Sequence, residues 1–185
     1  PRTAILMLAA GASSRFESGD KLLAELSGQS ILAHTAMSIP HDPDLTRIAV
    51  IPENALKRKR ILAGFGWQVI ENPDADHGQS STLRVGIQAL NEMSSIDQVI
   101  VVLADMPFVP PSHIDALRDC ADIPGVTCVM SNCSGVLSPP ALFKRKHFEA
   151  LSTLSGDRGA KAVFLSLEHG NRTVDLAVQS AVDID

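Results

Sequence analysis

The chain reads as an α/β fold: a single-domain, Rossmann-like, mostly parallel sheet with helices on both faces. Three observations predict it. Short apolar runs recur along the chain, and such a run bounded by polar residues has the length of a buried strand rather than a helix. Between these runs lie stretches with helical spacing of apolar positions. Hairpin signals are almost absent, so successive strands return in the same direction through helices.

Composition sets the bounds. With 185 residues the chain is expected to form one domain over 1–185, large enough to bury a core. A hydrophobic content of 45% with 20% charged residues is that of an ordinary soluble globular protein, and the three cysteines are expected to be reduced, in the cytoplasm. The net charge of −5 argues against a nucleic-acid binder, which would carry a basic face. Cys120, Cys128 and Cys133 are odd in number and lack C-x-x-C spacing, so neither a disulfide framework nor a zinc site is indicated. Pro1-Arg2-Thr3 leads straight into a strand without a charged n-region and cleavage site, so no signal peptide is expected. No apolar run reaches the ~18 residues of a membrane span, so no membrane partner is expected.

In chain order, Ala4-Ile5-Leu6-Met7-Leu8 is the first strand. A helix over 30–37 follows, with Ser30 as its N-cap and Pro40 and Pro43 closing it. Arg47-Ile48-Ala49-Val50-Ile51 is the second strand, and 53–63 is a charged helix ending at Gly64. Four adjacent bases in it, Lys57, Arg58, Lys59 and Arg60, read as a solvated face. Trp67-Gln68-Val69-Ile70 is a third strand, and a polar loop over 72–79 leads into a helix over 80–93. The Val-rich run 97–104 is the most hydrophobic strand and is expected at the centre of the sheet. A helix over 112–121 and a strand over 126–130 complete the alternation. In such sheets ligands lie beyond the carboxyl ends of the strands.

The first strand ends in Leu8-Ala9-Ala10-Gly11-Ala12-Ser13-Ser14-Arg15, running on to Gly19-Asp20-Lys21. Ala9, Ala10, Gly11 and Ala12 leave room for a ligand against the backbone, and Gly11 opens dihedrals closed to other residues. Successive amides in such a turn can cradle an anion, with Ser13 and Ser14 adding hydroxyls. Arg15 brings a planar fork for phosphate oxygens and Lys21 a mobile point charge. The set suits a polyphosphate. It is not a P-loop, because Lys21 is followed by Leu22, and not a dinucleotide fingerprint, because only Gly11 precedes Gly19.

Three further elements carry chemistry. Asp105, in Leu103-Ala104-Asp105-Met106-Pro107, follows the Val-rich strand directly. It is either a turn cap or a ligand for a hard divalent cation shared with phosphates. In Asp76-His77-Gly78-Gln79-Ser80-Ser81-Thr82, a glycine and three hydroxyls open a helix and cluster donors at its positive end. Capping by Ser80 or Ser81 would need only one hydroxyl, and His77 reads as a loop residue. In Gly156-Asp157-Arg158-Gly159, Asp157 is either a helix cap with Arg158 in solvent or part of a site.

Leu8-Ala-Ala-Gly-x-Ser-x-Arg followed by Lys21 resembles the signature of the MobA-like nucleotidyltransferases. Its Ala-Ala-Gly form is similar to the molybdenum cofactor cytidylyltransferase (MocA-like) branch. Ala104-Asp105-Met106-Pro107 resembles the family's Gly-Asp-x-Pro, and Gly78 to Arg84 its Gly-x-Ser-Ser-Ser-Leu-Arg. The stretches at 140–143 and 156–161 resemble its His-Pro-Val-Leu-Phe and Gly-Asp-x-Gly-Ala-Arg segments. The departures are an extra residue before Lys21 and Pro139 at the His position. The resemblance implies a sheet of the nucleotide-diphospho-sugar transferase type and transfer of CMP from CTP to molybdopterin with loss of pyrophosphate, supplying a xanthine dehydrogenase-type apo-enzyme. It implies that Arg15 and Lys21 neutralise the triphosphate and that Asp105 holds magnesium. Leu8, Ala9, Ala10, Gly11, Ser13, Gly78, Ser80 and Ser81 would line the nucleotide, with Asp157 and Arg158 on the acceptor side. The rival readings are another phosphorylated acceptor, a sugar or methylerythritol phosphate, and a non-catalytic molybdenum cofactor chaperone.

Overall fold

The computed structural model describes residues 1–11 and 19–181. The two most apolar runs lie side by side: β1 (Thr3–Leu8) pairs in parallel with a later strand, from Thr3↔Gln98 to Leu8↔Leu103. After β1, the short strands β2 (Glu25–Leu26) and β3 (Gln29–Ser30) form a small separate hairpin. Then come α1 (Ile31–Ser38), β4 (Leu45–Pro52), α2 (Leu56–Gly64) and β5 (Gln68–Asn72). The second half runs α3 (Gln79–Asn91), β6 (Gln98–Leu103), α4 (Pro111–Ala121), β7 (Cys128–Cys133) and β8 (Val136–Lys144). It ends with α5 (Phe148–Ser152), α6 (Ala160–Ser166) and β9 (Asn171–Asp175).

Among the described residues the main sheet has seven strands in the order β5-β4-β1-β6-β8-β7-β9. β6 stands at its centre, where its hydrophobicity places it. The four strands β5, β4, β1 and β6 are mutually parallel. Ser30 caps α1 as expected, its hydroxyl accepting from Ala33 N at 3.1 Å. Side chains alternate across the sheet: Ile5 and Met7 pack under Leu32, Leu62 and Leu117 on one face. Ala4, Leu6 and Leu8 pack under Leu83, Ile87 and Phe164 on the other. Helices therefore cover both faces, as the unbroken apolar runs require.

The expectation of a sheet almost free of hairpins is corrected. β8 runs antiparallel to both β6 and β7. The turn between β7 and β8 is Ser134-Gly135, with φ of 50° and 88°, and the β2–β3 turn is Ser27-Gly28, with φ of 51° and 86°. Both are two-residue turns with positive φ at each central residue, the geometry that fits the twist of paired strands. Ser-Gly is a weaker signal than Asn-Gly, and two β-branched-poor flanks hid it.

One contact sets how close α3 lies to the strand that carries the site. A Cβ built on Gly86 would fall 2.4 Å from Cδ1 of the fully buried Leu6. Gly86→Ala should therefore overpack this seam and destabilise the protein by about 1–3 kcal/mol, read from urea unfolding. An unchanged midpoint would mean that Leu6 repacks freely.

Candidate active site

β1 and β6 both end at the same sheet edge, and the residues following them form the floor of a cleft of about 340 Å³. Leu8, Ala10, Gly11 and Asp105 line it from the strand ends, and Gly78, Gln79 and Thr82 from the start of α3. Asp76 and Asp157 face it from loops. A second lobe of about 390 Å³ shares Ala10, Gly11, Ala75 and Asp76 and extends past Pro52, Arg58 and Asn72. The fold thus brings Leu8, Ala10, Gly11, Gly78, Asp105 and Asp157 to one place, although they come from four distant parts of the chain. Ser13 and Arg15 lie outside the described residues.

Asp105 is held by the backbone before it. Ala104 N donates to Leu8 O at 3.2 Å, and the buried Thr35 hydroxyl of α1 donates to Ala104 O at 2.7 Å. Its carboxylate lies 3.3 Å from Lys21 Nζ, across 84 positions of sequence. Both side chains are only about a fifth exposed, at 18% and 24%, so the charges meet in a partly desolvated setting where pairing counts for more than at a free surface. Lys21 opens a single 3-10 turn capped by Asp20, whose Oδ1 accepts from Leu22 N at 3.0 Å.

The glycine at the start of α3 is the other fixed point. Gly78 has φ 89° and ψ 174°, a conformation essentially reserved to glycine. A Cβ there would lie 2.7 Å from Asp157 Oδ1 and 2.8 Å from Gly156 O. The 156–159 turn therefore sits directly on the helix start, and Ser80 N donates to Gly156 O at 3.3 Å. Asp157 is no helix cap: α6 begins at Ala160 after Gly159 without a side-chain cap. Asp157 faces the cleft instead, while Arg158 is exposed and does not line it.

Ser80 and Ser81 are buried and contribute no cleft wall. The Ser81 hydroxyl accepts from Asn72 Nδ2 at 2.9 Å and lies 2.7 Å from Asp74 O, which ties the 72–78 loop to α3. Ser80 Oγ is buried with no hydrogen-bond partner among the described residues. Gln79 and Thr82 hold the cleft-facing positions that the sequence reading gave to the serines. They are three residues apart on one face of α3, a spacing that could have identified them. His77 is an exposed loop residue, as expected, with Asp74 and Asp76 at 3.9 and 3.8 Å.

The solvated reading of the basic cluster fails at Arg58. Lys57, Lys59 and Arg60 are exposed, but Arg58 is buried, at 5% exposure. Its Nε donates to Asp20 Oδ2 at 2.7 Å and its Nη2 to Asp20 Oδ1 at 2.8 Å, a two-pronged pair. Nη1 donates to Ala9 O, and both terminal nitrogens lie 3.4 Å from Gly11 O. The signal was its place four residues before the buried Leu62, on the inward stripe of α2.

Two other buried polar groups lie off the cleft. His113 Nε2 meets Ser131 Oγ at 2.7 Å, and that hydroxyl donates to Pro140 O at 2.6 Å. Burial pushes the His113 pKa down, favouring the neutral ring of a core residue. Neither lobe is lined by His or Cys among its described residues. The donor set does fit a divalent cation held chiefly by its substrate. No described group of three or more His, Cys, Asp or Glu could hold a metal, so the chain offers single carboxylates, and magnesium-type sites take one or two of these with phosphates and water. Without such a cation Asp76, Asp105 and Asp157 would oppose a bound polyphosphate.

A sheet of this order with its cleft beyond β1 and β6 belongs to the class of nucleotide-handling α/β transferases. The chain is a member of the MobA-like NTP transferase domain family, whose model matches residues 5–172. The family likeness read from the motifs is thereby borne out, and with it nucleotidyl transfer as the reaction type. The chain is 28% identical over 148 residues to a Pyrococcus horikoshii protein named "probable molybdenum cofactor guanylyltransferase", covering 78% of this chain and 71% of that protein. It is 30% identical over 129 residues to the 2-C-methyl-D-erythritol 4-phosphate cytidylyltransferase of Deinococcus radiodurans, covering 70% of this chain but 50% of that one. Rv0371C from Mycobacterium tuberculosis, in complex with manganese, superposes with a TM-score of 0.79 at 22% identity over 100% of this chain and 94% of its own, a likeness of fold. No described helix is long and apolar enough to cross a membrane.

Two substitutions check this geometry. Gly78→Ala should destabilise the fold by about 1–3 kcal/mol through its forbidden dihedrals, measured by urea unfolding; parent-like stability would mean the turn relaxes at no cost. Asp105→Asn should fold as the parent does yet lose ~100-fold or more in turnover, since an amide is a poor ligand for a hard cation. Near-parent activity at saturating magnesium would remove Asp105 from the metal.

Proposed function

We propose that the chain, acting as one domain over 1–185, transfers CMP from CTP to the phosphate of molybdopterin and releases pyrophosphate. The observation that carries a triphosphate reading is the Lys21–Asp105 pair, 3.3 Å apart at the mouth of a cleft floored by Ala10 and Gly11. One P–O bond forms as an acceptor phosphate oxygen attacks the α-phosphorus, and the bond to the pyrophosphate oxygen breaks. An acceptor phosphate is already anionic near neutral pH, so the reaction calls for charge stabilisation and positioning rather than a strong base. Lys21, with Arg15 from the sequence signature, would meet the β- and γ-phosphates, and the small Gly11 would let the backbone approach. A divalent cation, magnesium in this reading, would be held by Asp105 and would offset charge on the phosphates. Asp157 faces the cleft and is the acceptor-side candidate; Arg158, exposed beside it, could join only by reaching inward.

The choice of CTP rests on Ala10. Ala10 lines both lobes, and its methyl group would narrow the floor where a base would lie. The guanylyltransferase name of the Pyrococcus relative favours GTP instead, and the Deinococcus relative favours a methylerythritol phosphate acceptor. In the molybdopterin reading the product would pass to a molybdenum hydroxylase apo-enzyme in the cytoplasm. The test is pyrophosphate release with each of the four triphosphates, with molybdopterin, with methylerythritol phosphate and with neither. Release that needs CTP and molybdopterin is the expected result; tight molybdopterin binding without any release would make the protein a carrier. Ala10→Gly should shift the CTP-to-GTP ratio of kcat/KM toward GTP by about tenfold, the scale of one methyl group in a pocket. An unchanged ratio would take Ala10 out of the base discrimination.

A further inference from the structure

We propose that Arg58 is the positioning residue of the nucleotide site, holding Lys21 opposite Asp105 by locking Asp20 to the backbone end of β1. The proposal rests on the triphosphate reading above. A guanidinium has five N–H donors in a rigid fork, and all five of Arg58 face an acceptor. Two go to the Asp20 carboxylate, at 2.7 and 2.8 Å. The others face the carbonyls of Ala9 and Gly11, residues that continue β1 into the cleft floor. Asp20 in turn caps the turn that begins at Lys21. One buried side chain from α2 therefore bridges residues before and after the 12–18 stretch and orients the lysine that follows.

Such a bridge has a reason beyond stability. The carbonyls of Ala9 and Gly11 carry partial negative charge and Asp20, next to Lys21 in sequence, a full one, and Arg58 meets all three. Left unpaired, the Asp20 carboxylate would compete with Asp105 and with phosphate for the Lys21 ammonium. Arg58 engages both oxygens of that carboxylate, while the Lys21 ammonium lies 3.3 Å from Asp105. Arginine is needed for this because a lysine at 58 has three donors and no plane, and cannot serve a carboxylate and two carbonyls together.

The test is epistasis with Lys21. The full chain and its Arg58→Lys, Asp20→Asn, Lys21→Ala and Arg58→Lys/Lys21→Ala variants are compared for equilibrium binding of nucleoside triphosphate, kcat/KM by pyrophosphate release, and thermal midpoint. If Arg58 acts through Lys21, Arg58→Lys and Asp20→Asn each weaken triphosphate binding and kcat/KM by roughly tenfold to a hundredfold, the scale of a small misplacement. The double variant is then no worse than Lys21→Ala alone. Losses that multiply in the double variant, or an Arg58→Lys protein with parent kinetics, overturn the proposal. Should Arg58→Lys fail to fold, Asp20→Asn decides alone, by the same loss or by parent behaviour. A parent chain that binds no triphosphate overturns the nucleotide reading itself, and the assignment of Arg58 with it.

Discussion

Burial of β1 and β6 on both faces is the constraint on which the rest of the molecule depends. Every residue of β1 is buried, and β6 is buried up to Leu103, the residue next to the turn. A strand covered on both sides must pair any polar side chain it carries, as Gln98 and Thr3 do at the far end, and from Ala4 to Leu8 and Val99 to Leu103 the two strands carry none. Chemistry is therefore confined to the strand ends, and the parallel pairing of β4, β1 and β6 aligns those ends on one edge. The cleft is the consequence: its floor consists of the small residues following β1, and its anchoring carboxylate follows β6.

Electrostatics then decides what that edge can hold. The chain carries a net charge of −5, and Asp76, Asp105 and Asp157 all face the cleft. A polyanion is welcome there only through a few placed cations, of which the described residues supply Lys21 at the Asp105 carboxylate and Arg58 at the edge of the second lobe. The two are not equivalent. Lys21 is a point charge on a flexible stem that can exchange one anion for another, whereas Arg58 is fully engaged with the protein. One is suited to meet ligand and the other to hold the frame.

The antiparallel β8 shows how local sequence can mislead about neighbours. Its segment 140–143 reads as a motif rather than a strand, with Pro139 just before it and Pro140 at its start. Proline is tolerated there because the ladder is irregular: the pairing of β7 with β8 shifts register between Met130 and Ser131. The Ser131 hydroxyl answers the Pro140 carbonyl at that irregularity, a contact no pairing rule applied to the sequence would anticipate.

By itself the sequence determined the fold class, the central place of β6, the cap of α1 at Ser30, and the family, because each rests on the period of apolar residues or on a short local motif. It also named Ala10, Gly11, Gly78 and Asp105, whose positions at strand and helix ends are local facts. Tertiary structure alone decided which neighbours of those residues face the cleft. Gln79 and the buried Thr82 line the cleft while Ser80 and Ser81 do not, because α3 is pressed onto Leu6 at Gly86 and its rotation is set there. It alone decided that Arg58, one base in a run of four, leaves solvent to bind Asp20. A charged run looks the same whichever residue faces in, and a buried arginine is stable only where its carboxylate and carbonyl partners from elsewhere in the chain converge on it.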